Sequence, residues 1–257
     1  METNFPEITM DGAQIDAKQY VEPGTRMATF IAFFVAIIGT LFGILISYGI
    51  LLIVLLFYPL IARFMRRKAM ALIHGSGIRA GTTQFPQIYK CAETFRSRLG
   101  IKDEVAVYIV EDNIVNAMAV KYGKKNVILL TDDIIYSCLA SGNPGALSFV
   151  IAHEMAHIAL KHTGVLRSWM SNAMKKLGRL HEYSADSVAN ALVGDKTISF
   201  TGLLLITVGF SMVQYVNLES IVKQAQEVAK DKYSVKAERP LTHPLLLNRL
   251  YRIIQSK

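Results

Sequence analysis

A run of 36 residues without a charged side chain, at 27–62, constrains the fold of this chain more than any other feature. As one helix it would be about 54 Å long at ~1.5 Å per residue, whereas the hydrocarbon core of a bilayer is only ~30 Å thick. Two helices joined by a turn fit better, and Gly43, Ser47 and Gly49 mark the middle of the run, where a turn is expected. We therefore predict a transmembrane anchor at 27–63, as a two-helix hairpin in preference to one long helix.

The residues that flank the run indicate which side of the membrane the rest of the chain faces. Residues 1–26 form a polar tail of net charge −3, and the part after the run carries +11. Four basic residues at 63–68 follow the run directly, and lysine and arginine beside a membrane span favour the cytoplasmic side. No aromatic-basic recognition pattern points to nucleic acid, so the basic balance fits a domain beside anionic lipid. We predict an integral membrane protein in contact with lipid, with domain 64–257 in the cytoplasm and no nucleic-acid partner.

A second apolar stretch, at 198–218, has no charge over 21 residues. Its length alone would allow a span. However, it contains several polar side chains, and a third crossing would carry the C-terminal segment to the other side of the membrane. We therefore expect a buried or membrane-grazing helix there.

The segment VIAHEMAHIALKH (150–162) holds the strongest chemical motif. Positions i and i+4 lie on one face of a helix, so His153 and His157 present two imidazoles to one metal ion. Glu154 lies about 100° round the helix and is placed to take a proton from a water on that metal. This is the HExxH arrangement of zinc metalloproteases. An apolar helix that carries these polar groups needs a compensating partner for them, because burying them alone is costly.

The third metal ligand is expected downstream, in RLHEYSADSVANAL (179–192). Glu182 and Asp186 are again four residues apart, so we assign Glu182 to the metal and Asp186 to the outer nitrogen of a zinc histidine, preferably His153. His181 is a rival ligand, although it faces away from Glu182. His162 lies five residues after His157, off the metal-binding face, and is expected on the surface.

With these two motifs in place, the chain resembles the HtpX-like and CAAX-prenyl-protease family of membrane zinc metalloproteases. Three further stretches resemble this family: TTQFPQIYKCAETFRSRLGI (82–101), the strand–NAMA–strand unit at 105–135 that ends in a helix, and LTHPLLLNRL (241–250). The resemblance covers about residues 60–257. It implies a mainly α fold with a small β-sheet, a gluzincin-type metallopeptidase domain behind the anchor, and one zinc ion per chain.

The resemblance also implies roles for individual residues. His153, His157 and Glu182 would bind zinc, and Glu154 would be the catalytic base. Asn116 and Ala117 would lie on an edge strand that holds an extended peptide, although Asn116 could also simply start a turn. His243 would stabilise the tetrahedral oxyanion and Arg249 would lie beside it in the cleft, although this segment also reads as an ordinary helix start.

Two features depart from the family pattern. Members of the HtpX type carry two further spans between HExxH and the third ligand. Here only 24 residues separate His157 from Glu182, and this segment contains too many charges to span a membrane. The multi-span architecture of the CAAX prenyl proteases is absent as well. We therefore expect a compact zinc metalloendopeptidase that hydrolyses peptide bonds with a zinc-activated water and acts on misfolded or membrane-associated proteins. The alternative is a catalytically idle zinc-binding membrane adaptor, which would not need the base. Oligomeric state and cleavage preference do not follow from the sequence.

Overall fold

The computed structural model describes residues 12–111 and 116–256, in which helices surround a four-stranded sheet, as the sequence predicts. Residues 1–11 of the predicted tail and 112–115 of the predicted strand unit lie outside the described residues. After a 3₁₀ helix at Ala17–Tyr20, the helices are α1 (Thr25–Ile46), α2 (Ile50–Ser76), α3 (Pro86–Arg98), α4 (Asp132–Ala140), α5 (Gly145–Ala159), α6 (Val165–Ala173), α7 (Lys175–Val193), α8 (Lys196–Val213), α9 (Leu218–Lys230), α10 (Lys232–Ala237) and α11 (Leu246–Gln255). The strands are β1 (Ile78–Arg79), β2 (Val105–Val110), β3 (Ala117–Tyr122) and β4 (Lys125–Thr131).

The charge-free run folds into two helices, α1 and the first half of α2. They are joined at 47–49, where Tyr48 and Gly49 both have a positive φ, so the chain reverses at the predicted turn. Helix α2 does not end with the apolar run but continues past Arg63 to Ser76. Its charge-free part, 50–62, is about 20 Å long, which is shorter than a bilayer core.

The second half of α2 packs on the sheet. Ile73 lies in a small core cluster with Tyr108 of β2 and Val127 of β4, and the ring of His74 stacks on Tyr108 with centroids 5.5 Å apart. One continuous helix therefore joins the apolar segment to the sheet.

The sheet has the strand order β1-β2-β4-β3. Strands β2 and β4 pair in parallel, with Val105 opposite Asn126, and β3 pairs with β4 as an antiparallel hairpin. This order leaves β3 at one edge of the sheet. It crosses beside α5, which places an edge strand next to the HEMAH motif.

The centre of the domain is α5, which packs against α3, α7, α8 and β3. All of its residues from 146 to 156 are buried. A helix with no solvent-exposed face matches the apolar residues on both sides of the motif.

Helix α8, which contains most of the second apolar stretch, divides into two parts at Gly209, which has φ 70° and ψ 167°. In the first part Phe200 and Leu203 lie in the main core, and Gly202 allows close approach to α5, since a Cβ there would lie 2.9 Å from the carbonyl oxygen of Ala146. By length and composition, α1 and α8 are both apolar enough to cross a membrane, but a core helix passes the same test. The packing of α8 against α5 fits the expected buried helix.

Candidate active site

Helix α5 carries the two histidines of the HEMAH motif on one face. His153 is 5% exposed, and its Nε2 lies 3.1 Å from Nε2 of His157. Two facing imidazole nitrogens at this distance repel each other unless a proton or a metal ion lies between them. The helix therefore presents a pair of donors that requires a shared cation.

Helix α7 packs along α5 and adds a carboxylate to the pair. Glu182 places Oε1 3.4 Å from His157 Nε2 and Oε2 3.5 Å from His153 Nε2. One ligand atom from each of the three residues lies within 4.8 Å of the others. Two imidazoles and one carboxylate are a donor set of catalytic zinc sites, which use three protein ligands.

The outer nitrogen of His153 faces a second carboxylate of α7. Nδ1 lies 3.0 Å from Asp186 Oδ1, and this carboxylate in turn accepts hydrogen bonds of 2.7 Å from both Nε and Nη2 of Arg249. Nδ1 of His153 makes no hydrogen bond of good geometry, so its contact with Asp186 is mainly an ion pair. Because Asp186 and Arg249 are both less than 10% exposed, their pair connects α11 rigidly to the site.

Burial and neighbouring charges move the pKa values of the two histidines apart. For His153, burial opposes protonation, but Asp186 and Glu182 outweigh it and raise the pKa to about 10. For His157, burial dominates and lowers the pKa to about 4. Burial acts to raise the pKa of Glu182, yet the histidines and Arg249 bring it well below its ordinary value. In the metal-free site these shifts favour a positively charged His153 beside a neutral His157 and an ionised Glu182.

Glu154 points towards the edge strand. Its Oε2 accepts a hydrogen bond of 2.6 Å from the backbone N–H of Ala119. Burial raises the pKa of this carboxyl, and the charge of His153 partly offsets the rise. A carboxylate beside the donor set with a raised pKa is suited to accept a proton and then release it.

An open cleft of about 780 Å³ passes over these groups. Of the residues singled out from the sequence, all except Asp186 and the rival ligand His181 line it, and Asp186 lies directly behind His153. The lining consists of residues 116–122, His153, Glu154, His157, His162, Thr163, Trp169, Glu182, Ile206, His243 and Arg249.

Strand β3 directs part of its backbone into the cleft. Thr131 N donates to Asn116 O, so these two residues form a hydrogen-bonded antiparallel pair. Such pairs alternate along a ladder, which means that Ala117, Ala119 and Lys121 direct their N–H and C=O groups away from β4. The hydrogen bond from Ala119 to Glu154 agrees with this direction.

The C-terminal motif contributes two residues that differ in exposure. The side chain of His243 is 69% exposed at the rim, with Nε2 3.8 Å from Glu182 Oε1. Arg249 instead lies beneath the site in its pair with Asp186. The structure therefore brings both to the cleft but gives Arg249 a buried partner that its sequence context did not indicate.

Residues 83–172 match the model of peptidase family M48. The matched segment is that of an M48 metallopeptidase domain. This confirms the resemblance to the HtpX-like and CAAX-prenyl-protease type of zinc metalloprotease. The match includes α3, β2 to β4 and the HEMAH helix, and it ends before Glu182, so the downstream residues are assigned by their geometry. No curated protein and no solved structure matched the chain.

One expectation about the M48 domain is wrong: His162 does not lie on the surface. It is 7% exposed, and its Nδ1 lies 3.1 Å from Nδ1 of His157. The expectation assumed that α5 continues past residue 160, whereas the helix ends there and the chain turns back.

The rival ligand His181 lies on the far side of His162 from the donor set. The two rings stack with centroids 3.8 Å apart, and His181 Nε2 accepts a hydrogen bond of 3.2 Å from Arg167 Nε. A nitrogen that accepts from a guanidinium is not available to a metal. Among the described residues, the group that could hold a metal ion is His153, His157 and Glu182.

Proposed function

We propose that this chain is a membrane-anchored, zinc-dependent endopeptidase that cleaves extended segments of misfolded or membrane-associated proteins. One observation carries the proposal. Two imidazoles and a carboxylate converge within 4.8 Å beside a buried glutamate, below the edge strand β3 of the sheet. A metal donor set, a base and a surface for an extended peptide thus meet in one cleft.

His153, His157 and Glu182 would hold one zinc ion per chain. Bound there, zinc would supply Lewis acidity, polarising the scissile carbonyl and making a water molecule more acidic. Glu154 takes the proton of that water and passes it to the leaving amine. Asp186 keeps His153 in the tautomer that ligates through Nε2, and Arg249 keeps Asp186 ionised and in place.

The substrate would bind as an added strand on the outer edge of β3. Ala119 and Lys121 offer backbone groups for this pairing, together with the carbonyl of Ala117. The N–H of Ala117 donates to the side-chain oxygen of Asn116 at 2.8 Å, which marks the end of this edge. A substrate carbonyl that pairs with Ala119 would compete with Glu154 for its N–H and so release the base for the reaction. His243 at the rim would donate to the oxyanion.

The anchor would be α1 together with the apolar first half of α2. Four basic residues at 63–68 then meet the lipid headgroups and favour a cytoplasmic domain. All three segments of the site, α5, α7 and α11, must lie on one side of the membrane. Cysteine labelling near residues 75, 165 and 235 tests this arrangement, and labelling of 235 from the opposite side would exclude it.

The decisive experiment separates metal binding from catalysis. Glu154→Gln removes the base and keeps all three ligands, so we expect about one zinc per chain and almost no cleavage of casein or an unfolded membrane protein. The matched control is Glu219→Gln, at an exposed position of α9, which should retain both. Wild-type cleavage by Glu154→Gln would refute the mechanism, and a wild-type protein that binds zinc without cleaving would favour the adaptor.

A second set of variants tests the ligands. Replacing His153, His157 or Glu182 by alanine should each lower the zinc content sharply. Asp186→Asn should weaken zinc binding or activity by about 10- to 100-fold. Normal zinc content in Glu182→Ala would remove this residue from the ligand set.

A further inference from the structure

We propose that His162 is a positioning residue for zinc ligand His157, acting as the hydrogen-bond acceptor of its outer nitrogen. This inference rests on the proposed zinc role of His157 and extends it to a residue outside the HExxH motif. The first zinc histidine uses a carboxylate for this purpose, and the second would use a neutral imidazole.

The geometry places His162 directly behind His157. Nε2 of His157 faces Glu182 at 3.4 Å, while its Nδ1, on the opposite side of the ring, lies 3.1 Å from His162 Nδ1. The ring planes are inclined by 69°, and their centroids are 5.1 Å apart. His162 is thus within hydrogen-bond distance of the one ring nitrogen of His157 that does not face the donor set.

The end of α5 explains how a residue five positions later reaches this place. Lys161 has φ +60°, in the left-handed region, and reverses the chain after the helix cap at Leu160. His162 N then donates to His157 O at 2.8 Å, and Lys161 N donates to Ile158 O at 3.0 Å. This pair of bonds is a Schellman motif, and it folds the side chain of His162 back beneath His157.

The protons of the two rings then follow from their roles. If His157 binds zinc through Nε2, its single proton is on Nδ1, and that N–H faces His162, which lies where an acceptor is needed. A hydrogen bond between two ring nitrogens holds one proton and not two. His162 must therefore be neutral, with a bare Nδ1 towards His157 and its own proton on Nε2.

The neighbours of His162 hold its ring in this orientation. His181 stacks on it at 3.8 Å with an interplanar angle of 17°, and Arg167 fixes His181 by donating to its Nε2. The positive charge of Arg167 disfavours a second metal ion beside His162 and His181. Among the residues that the structure describes, the group of histidines and a carboxylate that could hold a metal consists of His153, His157 and Glu182. The cluster therefore supports the ligand and does not form a site of its own.

Zinc affinity in two variants tests the role of His162. His162→Phe keeps a flat ring that stacks on His181 but removes the acceptor, so we expect zinc to bind about 10-fold or more weakly in competition with a chelator. His162→Asn loses the stack but places an amide oxygen near the position of Nδ1, and should recover most of the affinity. A purely structural role predicts the opposite order, because phenylalanine is the better packing substitute.

The control is His74→Phe, which makes the same exchange at an exposed histidine that stacks on Tyr108, and it should bind zinc like the wild type. The absorption spectrum of the cobalt-substituted proteins gives a second readout, which should shift in His162→Phe and return in His162→Asn. Unchanged affinity in His162→Phe, or equal losses in both variants, would overturn the proposal. Failure of the wild type to bind zinc would instead overturn the proposed function.

Discussion

The buried pair of Arg249 and Asp186 should be the most costly side-chain contact to break in this domain. Arg249→Met removes the charge and keeps most of the side-chain volume. It leaves Asp186 ionised, nearly buried and paired with His153 alone. Losing one partner of a buried ion pair costs about 3–5 kcal/mol, because the remaining charge has lost its compensation. We expect about 3 kcal/mol here, since His153 still compensates in part.

The same helix supplies a matched control. Arg252 lies three residues further along α11, pairs with Glu22 at 2.6 Å and covers the ring of Tyr183, but its side chain is 46% exposed. Exposed ion pairs contribute about 0–1 kcal/mol, so Arg252→Met should cost about 1 kcal/mol. Both variants keep the apolar stem and differ mainly in the burial of the charge that they remove.

Urea unfolding of the metal-free protein in mild detergent measures both losses of unfolding free energy. The comparison holds when the slope of this free energy against urea concentration is the same for wild type and variants. A double variant then isolates the pair. Adding Asp186→Asn to Arg249→Met removes the uncompensated charge, so the combined loss should fall short of the sum by about 2 kcal/mol. The reasoning is refuted if Arg249→Met costs no more than Arg252→Met, or if the two losses in the double variant simply add.

Three further predictions concern the edge strand β3, the protonation of His153 and the end of α5. Lys121→Pro removes an outward N–H without breaking the β4 ladder, so KM for an extended peptide should rise about five- to tenfold relative to Lys121→Ala; equal KM values would exclude pairing at this position. The pKa of His153 is raised from 6.5 to about 10, so its stabilisation of the metal-free protein is complete below pH 6.5 and is lost as the pH rises towards 10; His153→Gln should abolish that part of the fall in the urea midpoint. Lys161→Gly relieves the left-handed backbone and should stabilise the protein by about 0.5–1 kcal/mol; thermal unfolding below the wild-type temperature would contradict this.

The sequence was sufficient to predict the elements whose pattern is local. The i, i+4 spacing of His153 with His157, and of Glu182 with Asp186, predicts two helices with one functional face each, and both helices are present. Glycine and serine in the middle of the charge-free run likewise predict the turn at 47–49. These predictions succeed because residues within one turn of a helix, or within a few positions of a chain reversal, determine the local structure.

The features that the sequence did not reveal depend on where a helix ends or on a distant partner. The predicted position of His162 was wrong because the sequence does not show where α5 ends. Lys161 reverses the chain with a left-handed backbone conformation that glycine usually adopts, and a lysine at this position does not indicate such a reversal. The continuation of α2 past Arg63 was missed because charges mark the edge of an apolar segment but do not stop a helix. The partner of Arg249 lies 63 positions away, and no local pattern specifies such a contact.

The unbroken course of α2 has a geometric consequence for the substrates. If residues 50–62 lie in a bilayer, Arg63 marks its surface, and Ile73, which packs on the sheet, lies up to about 15 Å further along the helix axis. Residues 63–73 lie within the one helix α2, so the sheet whose edge strand β3 borders the cleft is held at a set height above the lipid. A polypeptide that emerges from the membrane needs about five extended residues to climb that distance at ~3.3 Å each. The enzyme should therefore not cleave peptide bonds close to the membrane. Its first cleavage should lie at a minimum distance from the bilayer that is set by the length of α2 outside it.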